Sequence, residues 1–184
     1  MENDSLLVSC VVKGDTDSFA VLVSRYRDRL FNFIYKMTLS REDTEDILQE
    51  VFIRVYNNLY KYDGKRCFST WIFSIALNVF KSEYAKKKKA HSVNYREILE
   101  ELPGSPAEDP EAAYETKERS LEILKILDNL NFDQKALLVL KHIQGFSYRE
   151  VAEILKISPE NARIKVMRAR QTLFKKFNEL KEAR

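Results

Sequence analysis

Three of the four prolines, Pro103, Pro106 and Pro110, fall within eight residues of one another in the run ELPGSPAEDPEA. Each fixes its own φ, withholds a backbone donor and pushes the residue before it out of the helical region, so the run reads as neither helix nor central strand. Residues 92–115 therefore read as an inter-domain linker, with domains of residues 1–91 and 116–184 on either side. Outside that run the 184 residues hold one further proline, Pro159, and the whole chain has four glycines. Turn-dense sandwiches and barrels need more of both. The expected fold is all-α: two small helical domains joined by a flexible acidic linker.

The charge pattern follows the same division. The total is 31 basic against 28 acidic residues, +3, but residues 1–96 carry +4, 97–119 carry −6, 120–140 carry −1 and 141–184 carry +6. Two basic modules flank an acidic bridge, and basic surface attracts nucleic acid whereas acidic chain is repelled by it. Cys10 and Cys67 stand 57 positions apart with no C-x-x-C pair, which argues against a disulfide framework or a structural zinc site and suits a reducing compartment. MENDSLLVSC has acids where a secretory leader carries bases, and the near-apolar run Trp71 to Phe80 is too short to span a bilayer, so a cytoplasmic protein without membrane insertion is expected. There is no glycine-rich phosphate loop and no G-x-S-x-G, and His91 and His142 lack ligand spacing. Neither catalytic residues nor a metal or cofactor are expected. His142 is placed on a helix surface, Cys10 in the core and Cys67 in an exposed position.

In the first domain, apolar residues recur at helical steps: Leu6, Leu7, Cys10 and Val11; Phe19, Leu22, Val23, Tyr26, Leu30, Phe33, Ile34 and Met37; Ile47, Leu48, Val51, Phe52, Val55 and Leu59; and Trp71, Ile72, Ile75 and Val79. Ser40-x-x-Asp43 suits the cap of the third of these helices, whose polar side shows Asp43, Asp46 and Glu50 with Glu42, Glu45 and Gln49 beside them. Such a row is either a solvated face supported by the helix dipole or a docking surface for a basic protein. The next helix is aromatic and ends in bases: Phe73, Ser74, Asn78 and Lys81, with Lys86, Lys87, Lys88 and Lys89, are expected to stay exposed. Rings beside a cationic track suit unstacked single-stranded bases, although Trp71, Ile72 and Ile75 sit at core spacing.

The second domain carries the sharpest local pattern. Ser147-Tyr-Arg-Glu150 is a capping box opening a short helix with Val151, Ala152 and Leu155. After a tight turn at Lys156-Ile157, Ser158 caps a second helix with Pro159 at its first position. Two helices joined this closely form a helix-turn-helix. With Ala162, Val166, Ala169 and Leu173 facing the core, Asn161, Arg163, Ile164, Lys165 and Arg168 project outward near the start of the second helix, where recognition helices meet base edges. Lys175, Lys176 and Arg170 suit phosphates, which position without specifying.

Taken together, the acidic helix (DTEDILQEVFIRVYNNLYKYD), the aromatic segment (FSTWIFSIALN), the basic end, the acidic linker and the terminal GFSYREVAEILKISPENARIKVMRARQTL resemble a bacterial RNA polymerase sigma factor, sigma-70 family, extracytoplasmic-function group. The resemblance implies a region 2-like domain followed by a region 4-like domain, and a dissociable initiation subunit without catalysis of its own. Asp43, Asp46, Gln49 and Glu50 would dock on the β′ clamp helices of core polymerase, and the C-terminal domain on the β flap. Asn78 would help capture a flipped base of the minus-ten element, with Phe73, Phe80, Lys81 and Lys86 to Lys89 around it. Ser158, Glu160, Asn161, Arg163, Ile164, Lys165 and Arg168 would read the minus-thirty-five element, and an anti-sigma factor is an implied partner. The chain departs from the family's pattern at Leu77, where Arg is frequent, at Lys156, where the turn often has Gly, and at Glu160-Asn161-Ala162 in place of Gly-Thr-Val. The alternative is a conventional helix-turn-helix regulator whose first domain is an effector or dimerisation bundle.

Overall fold

The computed structural model describes residues 4–87, 98 and 110–182. Among them lie eight α-helices and no strand: α1 (Asp4–Val12), α2 (Thr16–Thr38), α3 (Arg41–Asn58) with a 3₁₀ turn at Leu59–Lys61, α4 (Phe68–Lys87), α5 (Pro110–Asp128), α6 (Phe132–Leu138) running into a π turn at Val139–Ile143, α7 (Tyr148–Leu155) and α8 (Pro159–Glu182). Most of the linker reading at 92–115 lies outside the described residues, but its end does not. Pro110 opens α5, at the one helical position where a missing N–H costs nothing.

Local chemistry sets the helix ends. The Asp15 carboxylate caps α2 by accepting from the Asp17 and Ser18 amides and from the Ser18 hydroxyl at 2.7 Å. Those bonds from Ser18 and Asp17 hold its acid below the ordinary carboxylate value. At the other end Leu39 adopts φ 57°, and its N–H returns to the Tyr35 carbonyl at 2.8 Å. Ser40 caps α3 as the spacing predicts, its hydroxyl accepting from the Asp43 amide at 3.3 Å.

α1 corrects one expectation. Cys10 is exposed and Leu6 is 63% exposed, while Leu7, Val8 and Val11 are buried. Asp4 sets this rotation: its carboxylate pairs with Arg25 and accepts from the Tyr26 hydroxyl at 2.5 Å, which turns the face one turn further on toward α2. Burial, with the Asp4 bond and charge behind it, pushes the Tyr26 phenol well up.

Helices α2, α3 and α4 pack around Leu30, Phe33, Ile34, Val51, Val55 and Ile72, all essentially free of solvent contact. That core does not end at the domain boundary. Ala136, Val139, Leu140, Phe146, Val151 and Ile154 of the C-terminal half belong to the same apolar cluster, while a second cluster joins Leu39 and Ile98 to Leu121, Leu124, Leu127 and Ala169. α4 lies against α7, and α2 against the π turn. Three contacts define the seam. Phe73 meets Phe146 edge-on at 4.9 Å between ring centroids, and Phe80 stacks on Phe132 at 5.6 Å. Lys135, 5% exposed, sends its ammonium across to the Met37 carbonyl at 3.0 Å while paired with Asp128 at 2.8 Å.

Candidate nucleic-acid interface

The helix-turn-helix forms from the residues that the sequence singles out. The Ser147 amide donates to Glu150 Oε2 at 2.8 Å and the Glu150 amide to the Ser147 hydroxyl at 3.2 Å, so the capping box is complete. α7 buries Val151, Ala152 and Ile154; Leu155, expected on that face, is partly buried and packs at its edge, while Ile154 lines a cleft together with Leu77 of α4. Lys156 takes φ 55° and ψ 47°, with its N–H directed to the Glu153 carbonyl at 3.3 Å and the Ile157 N–H to the Ala152 carbonyl at 3.0 Å. This 6→1 and 5→2 pair is the Schellman ending, here built on a lysine where glycine is usual. Ser158 then caps α8, accepting from the Asn161 amide at 3.2 Å.

α8 divides cleanly. Ala162, Val166 and Ala169 are buried and Leu173 is partly so, while Ser158, Glu160, Asn161, Arg163, Ile164, Lys165 and Arg168 are all exposed. Ile164 is 42% exposed, an apolar side chain left in solvent among bases, which fits contact with a thymine methyl. His142 sits exposed in the π turn, and its pKa is lowered by partial burial and by the nearby Lys141 and Arg170 charges.

On α3 the four candidate docking residues share one side. Asp46 and Gln49 are exposed, Asp43 and Glu50 half-buried, and the Glu50 carboxylate accepts from Arg54 Nε at 2.6 Å. The row continues beyond the acids into Ile53, Tyr56 and Tyr60, all exposed, which sequence reasoning missed. Their steps from Asp46 and Gln49 follow the helical repeat, and that signal was present in the chain.

α4 needs the largest correction. Phe73 is 0% exposed and Phe80 1%, and Ser74 is buried with its hydroxyl donating to the Trp71 carbonyl at 2.7 Å. Other rings cover them: Phe73 packs against Phe33 and Phe146, and Phe80 against Phe132. Asn78 and Lys81 are exposed as expected, with the Lys81 ammonium 5.5 Å from the centre of the Phe132 ring. Lys86 and Lys87 close α4, and Lys88, Lys89 and His91 lie outside the described residues. Leu77, where the resemblance would place an arginine, is buried in the seam.

Two clefts meet at Asn78. One, about 320 Å³, is walled by Arg54, Lys61, Arg66, Trp71 and Lys156. Its cations are dispersed, three over 54–66 and the fourth at Lys156, instead of forming a tract, so the sequence did not mark them as a set. The other, about 240 Å³, is lined by Leu77, Lys81, Phe132, Lys156 and Lys165. Among the described residues no group of three or more His, Cys, Asp or Glu side chains is placed to hold a metal ion, and no helix is long and apolar enough to cross a membrane.

Comparison with known proteins matches residues 22–90 to Sigma-70 region 2 and residues 120–173 to Sigma-70 region 4. The ECF RNA polymerase sigma factor SigW of Bacillus subtilis is 32% identical over 182 residues, covering 92% of this chain and 94% of that protein. The ECF RNA polymerase sigma-E factor of Haemophilus influenzae is 29% identical, covering 96% of each. Among solved structures, CnrH in complex with the cytosolic domain of CnrY superposes with a TM-score of 0.71 at 21% identity, covering 96% of this chain and 97% of that one. RpoE of Bartonella quintana, solved with the anti-sigma factor NepR, gives 0.63 at 20% identity, covering 84% and 93%. With both regions matched and a curated relative aligned along nearly its full length, this chain belongs to the extracytoplasmic-function RNA polymerase sigma factors of the sigma-70 family.

Proposed function

We propose specific contacts for a promoter-recognising initiation subunit that itself performs no catalysis. Asp43, Asp46, Gln49 and Glu50 dock on the β′ clamp helices of core polymerase, with Ile53, Tyr56 and Tyr60 extending the contact into an apolar half. The C-terminal region docks on the β flap and lays α8 in the major groove of the minus-thirty-five element. Arg163 and Asn161 read base edges there, Ile164 touches a methyl group, and Lys165 and Arg168 hold the flanks. At the minus-ten element Asn78 engages an extruded base while Lys81, Arg54, Lys61 and Arg66 carry phosphates. Extrusion costs a few kcal/mol of stacking, which such a cationic cleft offsets. An anti-sigma factor and a cytoplasmic setting complete the reading.

The observation that carries it is the start of α8: seven exposed candidate residues on a helix whose opposite side is buried, presented by a fully capped turn in the same chain as an exposed acidic helix. The experiment is run-off transcription from genomic fragments with purified chain and core polymerase. Discrete start sites dependent on the chain are expected. Absence of specific transcripts, together with tight binding of closed duplex by the chain alone, would favour the helix-turn-helix regulator.

A further inference from the structure

One acid stands among the bases of α8, and the contacts given above leave it without a task. Glu160 is the only Asp or Glu between Ser158 and Asn178, a stretch that holds Arg163, Lys165, Arg168, Arg170, Lys175 and Lys176. Phosphates repel a carboxylate, so on a face that meets DNA it costs affinity unless it takes a contact of its own.

Local structure does not use this carboxylate. In α7 the acid stands three residues after the capping serine, and Glu150 folds back onto the Ser147 amide. In α8 that position is filled by Asn161, whose amide donates to the Ser158 hydroxyl at 3.2 Å, and Glu160 comes one residue too early for a capping box. Arg163 stands three residues on, within helical reach, yet among the described residues the exposed Glu160 side chain makes no ion pair and no hydrogen bond. The one local role left is the favourable sign of an acid in the first turn, which is indifferent to what the side chain points at.

Helical register aims it. Ala162, Val166, Ala169 and the partly buried Leu173 make one side of α8. At about 100° per residue, Ile164 stands about 170° and Glu160 about 150° from the middle of that side, whereas Arg163 and Asn161 stand about 90° and 110° away on opposite flanks. With the buried side backed onto the protein, Glu160 and Ile164 lead the helix toward the base edges, and Arg163 and Asn161 reach to either side. A carboxylate only accepts hydrogen bonds. In the major groove cytosine offers its N4 amino donor alone, adenine offers N6 beside the N7 acceptor, and guanine and thymine present acceptors.

On the reading that α8 lies in the major groove, on which this inference rests, we propose that Glu160 is a specificity-determining residue that accepts from the N4 amino group of a cytosine and rejects guanine at that position. Ile164 follows one turn later on the same side, about 6 Å along the axis, which is less than two base-pair steps of about 3.4 Å. The cytosine therefore lies within two base pairs of the thymine whose methyl group Ile164 meets.

The test is selection of upstream elements from duplex DNA randomised across the minus-thirty-five region. Holoenzyme is assembled from core polymerase and the full chain as wild type, Glu160→Ala, Glu160→Gln, Ile164→Ala and Arg163→Ala. Wild type is expected to enrich cytosine at one position and to deplete guanine most strongly there. Glu160→Ala is expected to lose that preference about tenfold while other positions keep theirs. Glu160→Gln, whose amide both donates and accepts, is expected to move the preference toward adenine. A first-turn charge with no base contact would instead lower the thermal midpoint and weaken all elements alike, so unchanged base preferences in both Glu160 variants overturn the proposal. A position relaxed by Glu160→Ala that lies more than two base pairs from the one relaxed by Ile164→Ala overturns it as well. If Arg163→Ala relaxes a base pair and neither Glu160 variant does, α8 still lies in the groove and only the role of Glu160 fails. If wild type enriches no element, the groove placement fails and the role of Glu160 with it.

Discussion

Lys156 is a test of whether this helix-turn-helix carries backbone strain. Its φ of 55° lies in the left-handed region, reached because the Schellman bonds from Lys156 and Ile157 to the Glu153 and Ala152 carbonyls leave the chain no other way to reverse. A residue with a Cβ gives up about 1 to 2 kcal/mol there. Lys156→Gly removes that term but adds about 0.4 to 1 kcal/mol of backbone freedom to the unfolded chain. The net gain should be about 0.5 to 1 kcal/mol, or roughly 1 to 4 °C in midpoint for a chain of this size. Charge is a competing cause, because Lys156 shares its cleft with Arg54, Lys61 and Arg66. Lys156→Ala separates the two: it removes the charge and keeps the Cβ. Thermal unfolding of the three full-length chains, followed by circular dichroism at low and high salt, should place the glycine variant above wild type at both salts. The alanine variant should stay within about 0.5 kcal/mol of wild type. An alanine variant stabilised as much as the glycine variant, with the gain vanishing in salt, would refute strain and assign the effect to repulsion between cations.

Arg163→Ala should cost about 1 to 3 kcal/mol of promoter affinity and relax preference at one upstream base pair, whereas Lys176→Ala should weaken all sequences alike and lower the salt slope by about 1, both read by competition binding of holoenzyme. Asp46→Lys should reduce affinity for core polymerase by roughly tenfold, the loss shrinking as salt screens the contact, in fluorescence titrations with labelled chain. For His142 the folded value lies below the unfolded 6.5 because burial and the Lys141 and Arg170 charges disfavour the imidazolium. The unfolded chain therefore takes the proton first, and this group's share of stability is present above pH 6.5 and lost as pH falls through the folded value. Midpoints at pH 7.5 and 5.5 should differ less for His142→Gln than for wild type.

The helix-turn-helix was legible because its signals are local. Ser147 with Glu150, Ser158 with Pro159, and the Ala162, Val166, Ala169 repeat each act within one or two turns, and each appears in the structure in that role. The start of α5 was half-legible: Pro110 reads as a breaker inside a proline cluster and as a helix opener once nothing N-terminal has to be helical. Cys10 was misplaced by one step of rotation. Nothing in the α1 pattern chooses between the Leu6/Cys10 and Leu7/Val11 faces, and the choice is made by Asp4 reaching Arg25 and Tyr26, a pairing across 21 and 22 residues.

Phe73 and Phe80 show where periodicity stops being informative. Ile72, Ala76 and Val79 fill the inner face of α4, so the rule of one apolar stripe per helix assigns the remaining aromatics to solvent. A helix apolar on more than one side is the mark of burial on more than one side, and α4 has that character from Trp71 to Phe80. Read in that way, the pattern already required a second partner for the face that carries Phe73, Leu77 and Phe80. Unstacked nucleic-acid bases lying on the rings and the apolar seam of region 4 both meet that requirement. Leu77 decides between them for the free chain, because an aliphatic side chain with no π-face and no charge gains nothing from bases or phosphates and gains about 1.5 to 3 kcal/mol from full burial. The face of α4 that carries Phe73, Leu77 and Phe80 is thus committed to the chain's own C-terminal half.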